Sequence, residues 1–301
     1  MSERFSHSRL SSFENCPKKY EFRYVLKIRR ETESIEGFVG KRVHEVFERL
    51  YIATGRGHVP TLPQVLNRYR ALFDEHYDPE RVRVVRKETP VDEYRKNGER
   101  SLTHYYRRHY PFDADETLGL EERLTFDLDG GGRYRILGIV DRISRTRDGV
   151  IEIHDYKTGR WVPNQKQIDG DRQLALYQIG VTEKLGDGDP MRLVWHYVLR
   201  NQVRTSTRTP EQLASLRVET AKIIDHIRGE VRFDPKPSAL CSWCEYDDIC
   251  PAVAIAEGKA APAPRGESRS VATEASGVTS PTTAEASTGG ARRKSGQLSL
   301  I

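Results

Sequence analysis

Asp141, Asp155 and Lys157 are the residues of this chain whose types and spacing best suit chemistry. Asp155 and Lys157 stand two apart in an apolar stretch, Val150–Tyr156 and the residue after it, that reads as a strand. Alternation places Ile151, Ile153, Asp155 and Lys157 on one face. The stretch before it places Leu137, Ile139, Asp141 and Ile143 on one face. Paired as a hairpin, the two strands bring both carboxylates and the lysine to one side. Neighbouring carboxylates repel, and a hard divalent cation such as Mg2+ or Mn2+ relieves that repulsion. Such an ion activates a bound water and stabilises charge on a phosphate under attack. A lysine beside it orients the water or neutralises developing charge. A lone Asp-x-Lys is also common as a solvated strand end with a salt bridge.

The four cysteines form a second constellation. Cys16 stands alone, and Cys241-Ser-Trp-Cys244-Glu-Tyr-Asp-Asp-Ile-Cys250 has the spacing C-x2-C-x5-C. Thiolates this close can converge on one metal centre, and Cys16 is the only thiol left to complete a set of four. Such a centre staples both ends of the folded part together and takes much freedom from the unfolded chain. Zinc and an iron–sulfur cluster both accept four thiolates. Zinc sites usually show two C-x2-C pairs or histidine partners. This chain shows neither, which favours [4Fe–4S]. One remote cysteine plus a tight trio is an odd disulfide framework.

The elements that must position these groups follow from hydrophobic period. Gly40–Ile52 predicts a helix with Val43, Phe47, Leu50 and Tyr51 on one stripe, and Leu62–Tyr77 predicts a second. Residues 78–115 are charged and predict mostly helix. The period then changes. Leu124–Leu128, Tyr134–Ile143 and Val150–Tyr156 predict consecutive strands separated by glycine-bearing turns. A helix over Gln173–Lys184, a strand over Arg192–Leu199 and a helix ending near Gly229 follow. That helix opens on Thr209-Pro-Glu-Gln212, a capping box with proline at N1. The fold class is α/β, a mixed central sheet flanked by helices, with the termini joined through the four cysteines.

Composition excludes some classes. The chain has 301 residues, 31% charged and 37% hydrophobic, with a net charge of +5. That balance permits a polyanionic partner without demanding one. No apolar run approaches ~18 residues, so no membrane partner is expected. Met1-Ser-Glu-Arg-Phe5 carries no apolar segment, so no secretion signal is read and a cytoplasmic location is expected. No G-x-x-x-x-G-K-[ST] is present, so the chain carries no ATP motor. Tyr20 to Arg30 and Tyr105-Tyr-Arg-Arg-His-Tyr110 interleave rings with cations. Single-stranded nucleic acid binds such surfaces. A solvated helix with buried aromatics gives the same pattern.

Gly138-Ile-Val-Asp141-Arg-Ile143 followed by Asp155-Tyr-Lys157-Thr-Gly159 closely resembles the motifs of the RecB-like nucleases in the PD-(D/E)xK superfamily. Gly40-Lys-Arg-Val-His44-Glu resembles the family's helical histidine, and Gln173-Leu-Ala-Leu-Tyr177 its downstream Gln-x-x-x-Tyr. The early cysteine and late C-x2-C-x5-C are similar to the iron–sulfur branch, which includes the AddB nuclease domain and CRISPR-associated RecB-like nucleases. All these elements stand in the family's order over about residues 5–251. The resemblance implies that His44, Asp141, Asp155 and the Tyr156 carbonyl ligate a catalytic Mg2+ or Mn2+. It implies that Lys157 positions the attacking water, and that Gln173 and Tyr177 hold the DNA strand or support the site. Cys16, Cys241, Cys244 and Cys250 would bind a [4Fe–4S] cluster. Without the resemblance, His44 would read as a surface histidine paired with Glu48, and Gln173 and Tyr177 as part of an amphipathic helix. Glu121 or Glu122 could add a further acidic ligand.

The expected function is metal-dependent cleavage of DNA, as a single-strand exonuclease in repair or recombination. Without a motor, the enzyme acts on ends already single-stranded or relies on a helicase partner. Alternatives are a CRISPR adaptation nuclease and a non-catalytic iron–sulfur DNA-binding subunit. The nuclease domain is placed at residues 1–256. Residues 257–296, poor in core-forming types, are expected to be a disordered linker with a reach of roughly 35 Å. The last five residues, Gln297-Leu-Ser-Leu-Ile301, resemble the peptide that binds the bacterial beta sliding clamp, with Ile in place of the usual Phe.

Overall fold

The computed structural model describes residues 3–186 and 188–256. The expected linker 257–296 and terminal peptide 297–301 lie outside the described residues. The chain begins with β1 (Arg4–Phe5), α1 (His7–Asn15) and α2 (Pro17–Tyr20), which runs on into a π-helical turn at Glu21–Val25. Then come β2 (Glu33–Ser34), α3 (Ile35–Gly55), α4 (Leu62–His76), β3 (Val82–Arg83) and α5 (Val91–His109). The second half runs β4 (Asp115–Asp127), β5 (Arg135–Thr146), β6 (Ile151–Lys157), α6 (Gln165–Asp169), α7 (Arg172–Leu185), β7 (Met191–Tyr197), β8 (Gln202–Ser206), α8 (Pro210–Gly229) and α9 (Pro251–Ala256).

Local chemistry explains the main helices. In α3, Ile35, Phe38, Val39, Val43, Val46, Phe47 and Leu50 are buried at helical spacing, so one stripe faces a core. α8 opens as its capping box requires, with the Thr209 side chain accepting from the Gln212 N–H. The charged stretch 78–115 is helical only over Val91–His109; β3 interrupts it and β4 begins at its end. β4 also starts nine residues before the predicted Leu124, at Asp115. Its early half has no fully buried residue and only Leu118 and Leu120 as apolar ones, so the strong apolar signal begins at Leu124.

One six-stranded sheet has the order β1-β5-β6-β7-β8, with β4 on the other edge of β5. β4–β5, β5–β6 and β7–β8 are antiparallel, while β1–β5 and β6–β7 are parallel. The crossover from β6 to β7 carries α6 and α7, as parallel pairing requires. Helices cover both faces. α7 and α8 share one core with Phe5, Leu10, Ile143, Ile151, Ile153 and Trp195. α3, α4 and α5 form a second core with Tyr156 and Val198. Tyr105 and Tyr106 belong to this second core, so Tyr110, 61% exposed, is the one tyrosine of that basic–aromatic stretch left at the surface.

β1 and β6 share one edge of β5. β1 pairs at Arg135–Ile136 and β6 at Arg142–Arg145, leaving residues 137–141 between them. The sheet therefore splits at Asp141. The expected single face of Leu137, Ile139, Asp141 and Ile143 does not run through this point. Ile136 and Val140 join the core that holds Ile143, whereas Ile139 is 41% exposed. The pleat changes phase, because β5 leaves its ladder with β6 there. Across from it, Glu121 of β4 has φ +45°, a left-handed conformation costly for a side chain with a Cβ.

On the α5 face lies a buried polar network. Arg142 is 2% exposed, pairs with Asp115 at 2.9 Å and lies over the Tyr51 ring at 4.3 Å. Its guanidinium donates to His154 Nε2 at 3.0 Å, so His154 carries its proton on Nδ1 and donates to His196 Nε2 at 2.9 Å. Burial first, with Arg142 among the charges that add to it, pushes both histidines well below the usual imidazole range. Both stay neutral in the folded protein, while the unfolded chain takes up protons below about pH 6.5. Stability should therefore be full at neutral pH and fall on acidification by about 1.4 kcal/mol per pH unit for each histidine. Denaturant titrations between pH 7.5 and 5 check this. His196→Gln should flatten the profile, and an unchanged slope would contradict the assignment.

Candidate active site

The split in the sheet assembles side chains from both layers. Asp141 Oδ2 accepts from the Tyr156 N–H at 2.7 Å, taking the place of the ladder bond that β5 no longer supplies. His44 reaches the same point from α3, with Nε2 2.8 Å from the Tyr156 carbonyl and Nδ1 3.5 Å from Asp141 Oδ1. From the opposite layer, Gln173 of α7 donates through Nε2 to Asp155 Oδ1 at 3.0 Å and accepts from Lys157 Nζ at 2.9 Å. Lys157 also donates to Asp155 at 3.0 Å. Tyr177, one turn beyond Gln173, has its hydroxyl 3.4 Å from Gln173 Nε2. Its ring lies over Gly138, where an added Cβ would meet it at 2.7 Å, so this close packing needs glycine.

Each carboxylate thus has a cation of its own. Asp155 is 4% exposed; burial and Asp141 raise its pKa, against the pull of Lys157. Burial alone would lower Lys157, but Asp155 beside it keeps the ammonium above its ordinary value. Burial also opposes the charge on His44, yet Asp141 and then Asp155 raise it to about 9. His44 must give up that proton before a ring nitrogen can ligate a metal.

Two further expected ligands can be located. The Tyr156 carbonyl, expected to face a metal, is engaged by His44. The donor atoms of His44, Glu121 and Asp141 lie within 4.8 Å of one another, so Glu121 joins the site. Glu122 points elsewhere and pairs with Lys184. Burial and Asp141 raise Glu121 to about 7. The sequence left Glu121 and Glu122 open as alternatives, and the backbone at Glu121 is left-handed, φ +45°. Ligands of carboxylate and imidazole type suit a divalent cation such as Mg2+ or Mn2+.

The cysteines meet at a second place. Cys16 closes α1 and opens α2. Cys241, Cys244 and Cys250 lie on short turns between α8 and α9. All four border one cavity of about 390 Å3. Backbone N–H groups of Lys236 and Ser238 lie 3.5 Å and 3.3 Å from the sulfurs of Cys16 and Cys241. The two ends of the domain also interlock through protein contacts: Lys19–Glu245 at 2.8 Å, Arg30–Asp248 at 2.6 Å, and the Tyr246 hydroxyl donating to the Ile28 carbonyl at 2.9 Å. Half-buried thiols, nearby amides and lysines fit a thiolate-bound metal centre. Among the described residues no helix is long and apolar enough to cross a membrane.

Comparison with known proteins places this geometry in context. No curated protein matches the chain. Among solved structures, one from Eubacterium rectale whose exonuclease name is provisional is 17% identical, with a TM-score of 0.47, covering 81% of this chain and 88% of that one. The protein SSO0001 is 16% identical, with a TM-score of 0.38, covering 84% of this chain and 88% of its own. The family model described as the PD-(D/E)XK nuclease superfamily matches residues 4–251, a span that contains His44, Asp141, Asp155, Lys157, Gln173 and all four cysteines, and the chain belongs to that superfamily.

Proposed function

We propose that this protein is a metal-dependent DNA nuclease of the RecB-like iron–sulfur branch, acting as an exonuclease on single-stranded ends in repair or recombination. The observation that carries the reading is the convergence of Asp141, Asp155, Lys157 and Gln173 with His44 at the split in the sheet. Asp141, His44 and Glu121, with Asp155 beside them, would hold the catalytic Mg2+ or Mn2+. When bound, that ion supplies Lewis acidity toward a phosphate oxygen and makes water a stronger nucleophile. Lys157, held by Gln173, orients the water and offsets charge that develops on the phosphate. Gln173 and Tyr177 keep the lysine and Asp155 in register. Cleavage of end-labelled oligonucleotides with and without chelator tests the reading; chelator-resistant cleavage would sink it.

The cysteine set is read as a [4Fe–4S] site rather than zinc on its spacing, one remote cysteine with a C-x2-C-x5-C trio and no second C-x2-C pair. A helicase is the partner expected of a nuclease that carries no motor. Gln297–Ile301 is proposed to bind a sliding clamp, on sequence likeness alone. Its removal should leave cleavage of free oligonucleotides unchanged and abolish binding to purified clamp in calorimetry. Full-length protein that shows no clamp binding would make the likeness a coincidence.

A further inference from the structure

A cleft of about 790 Å3 lies between the N-terminal segment, the start of α3 and the cysteine-bearing segment. Its walls carry Lys19, Arg23, Lys27, Arg29, Arg30, Lys41 and Arg83 against Glu33 and Glu245. Acidic partners reach several of these cations, but among the described residues Lys27 and Arg29 make no ion pair. Both are exposed. The backbone there is unusual. Glu21–Val25 is π-helical, and Lys27 has φ +53°, left-handed for a residue with a Cβ. Irregularities of this kind persist where function needs the side chains they aim. Gly37 and Lys41 of α3 line the cleft, and with His44 they sit at i, i+4 and i+7 on one helix face. His44 thus lies about 10 Å further along α3 than Gly37, on the helix face that borders the cleft. The first turn of α3, beside Ser34, adds the positive end of the helix dipole.

We propose that this cleft is the track along which a single nucleic-acid strand enters the active site, its phosphates held by Lys27, Arg29 and Lys41. The inference rests on the nuclease reading above and names the path its substrate takes. Cations on three walls of one concavity suit a thin flexible strand, since a rigid duplex would meet them from one side only. Trp243, Glu245 and Tyr246 belong to the cysteine segment and form part of one wall, so the cysteine-bearing cap shapes the track.

The test measures binding of a fluorescein-labelled oligo-dT by anisotropy, in chelator so that no cleavage occurs, over a series of salt concentrations. Lys27→Glu/Arg29→Glu should weaken binding about tenfold or more and make the salt dependence shallower by about 1.4 in log–log slope. A charge-matched control outside the cleft, Arg107→Glu/Arg147→Glu, should bind as the parent does. Equal effects in the two variants, or none in the first, would overturn the track. A blunt duplex bound as tightly as oligo-dT would overturn the single-strand assignment. Because binding is read without cleavage, these outcomes are separate from the fate of the nuclease reading, which cleavage by Asp155→Asn protein decides.

Discussion

Asp155→Asn is expected to lower DNA cleavage by a factor on the order of 10³ while leaving the metal-free protein at least as stable as the parent. The two effects have one cause. Asp155 is buried and close to Asp141, and its carboxyl is held above the ordinary carboxylate range. Ionising it without a metal costs folding free energy, and that cost is what makes the site ready for a cation. Asparagine keeps the shape and can still bond to Gln173 but removes the charge. Lys157→Ala should lose about 10²–10³-fold, because an oriented cation beside the phosphate is missing. Gln173→Ala should lose less, about 10–100-fold, since it acts by holding Asp155 and Lys157. Cleavage rates at saturating Mg2+ and thermal melts in chelator measure both quantities. An Asp155→Asn protein that still cuts, or that unfolds in chelator well below the parent, would contradict this account.

The second large effect concerns the cysteines. Protein prepared without oxygen should be brown and contain iron and acid-labile sulfide, and Cys16→Ser should lose both as fully as Cys244→Ser. A cross-link from residue 16 to the segment 241–250 closes a loop of more than 220 residues. On the chain-entropy model such a link contributes about 5 kcal/mol. For a domain of this size that corresponds to roughly 10–20 °C in melting temperature. The ion pairs between the two ends, Lys19–Glu245 and Arg30–Asp248, are partly exposed and cannot replace it. The loss should also reach the active site. Glu14, two residues before Cys16, pairs with Arg172 at 2.9 Å, next to Gln173. Stoichiometric zinc with no iron would overturn the cluster and leave the nuclease standing. Equal melting temperatures for parent and Cys16→Ser would overturn the staple.

Much of the scaffold was legible because its signals are local. α3, α4, α7 and α8 each carry an apolar stripe or a capping box within their own residues. β6 read correctly because Ile151, Ile153, Asp155 and Lys157 alternate without interruption. β4 was read short, since its first half is at most half-buried and offers only Leu118 and Leu120 as apolar residues. β1 and β8 were not read: the first has two residues, and the second has Val203 as its one apolar residue. The short helices α1 and α2 around Cys16 were not read either.

By itself the sequence determined the types and spacing on offer: two aspartates and a lysine at strand spacing, a histidine and a glutamine singled out only through the family resemblance, and four cysteines elsewhere. It also determined that strands and helices of an α/β sheet carry them, because hydrophobic period and capping are properties of neighbouring residues. Only the tertiary structure decided how those groups meet. The splitting of β5 from β6 at Asp141 turns that carboxylate onto the Tyr156 N–H, and Glu121, rather than its neighbour Glu122, lies within reach of His44 and Asp141. Gln173 joins Lys157 to Asp155 across layers sixteen and eighteen residues apart in the chain, and Cys16 reaches the cavity of the other thiols from the far end. Such contacts depend on register, sheet splitting and the packing of distant segments, which are set by the whole fold and leave no mark on nearest neighbours.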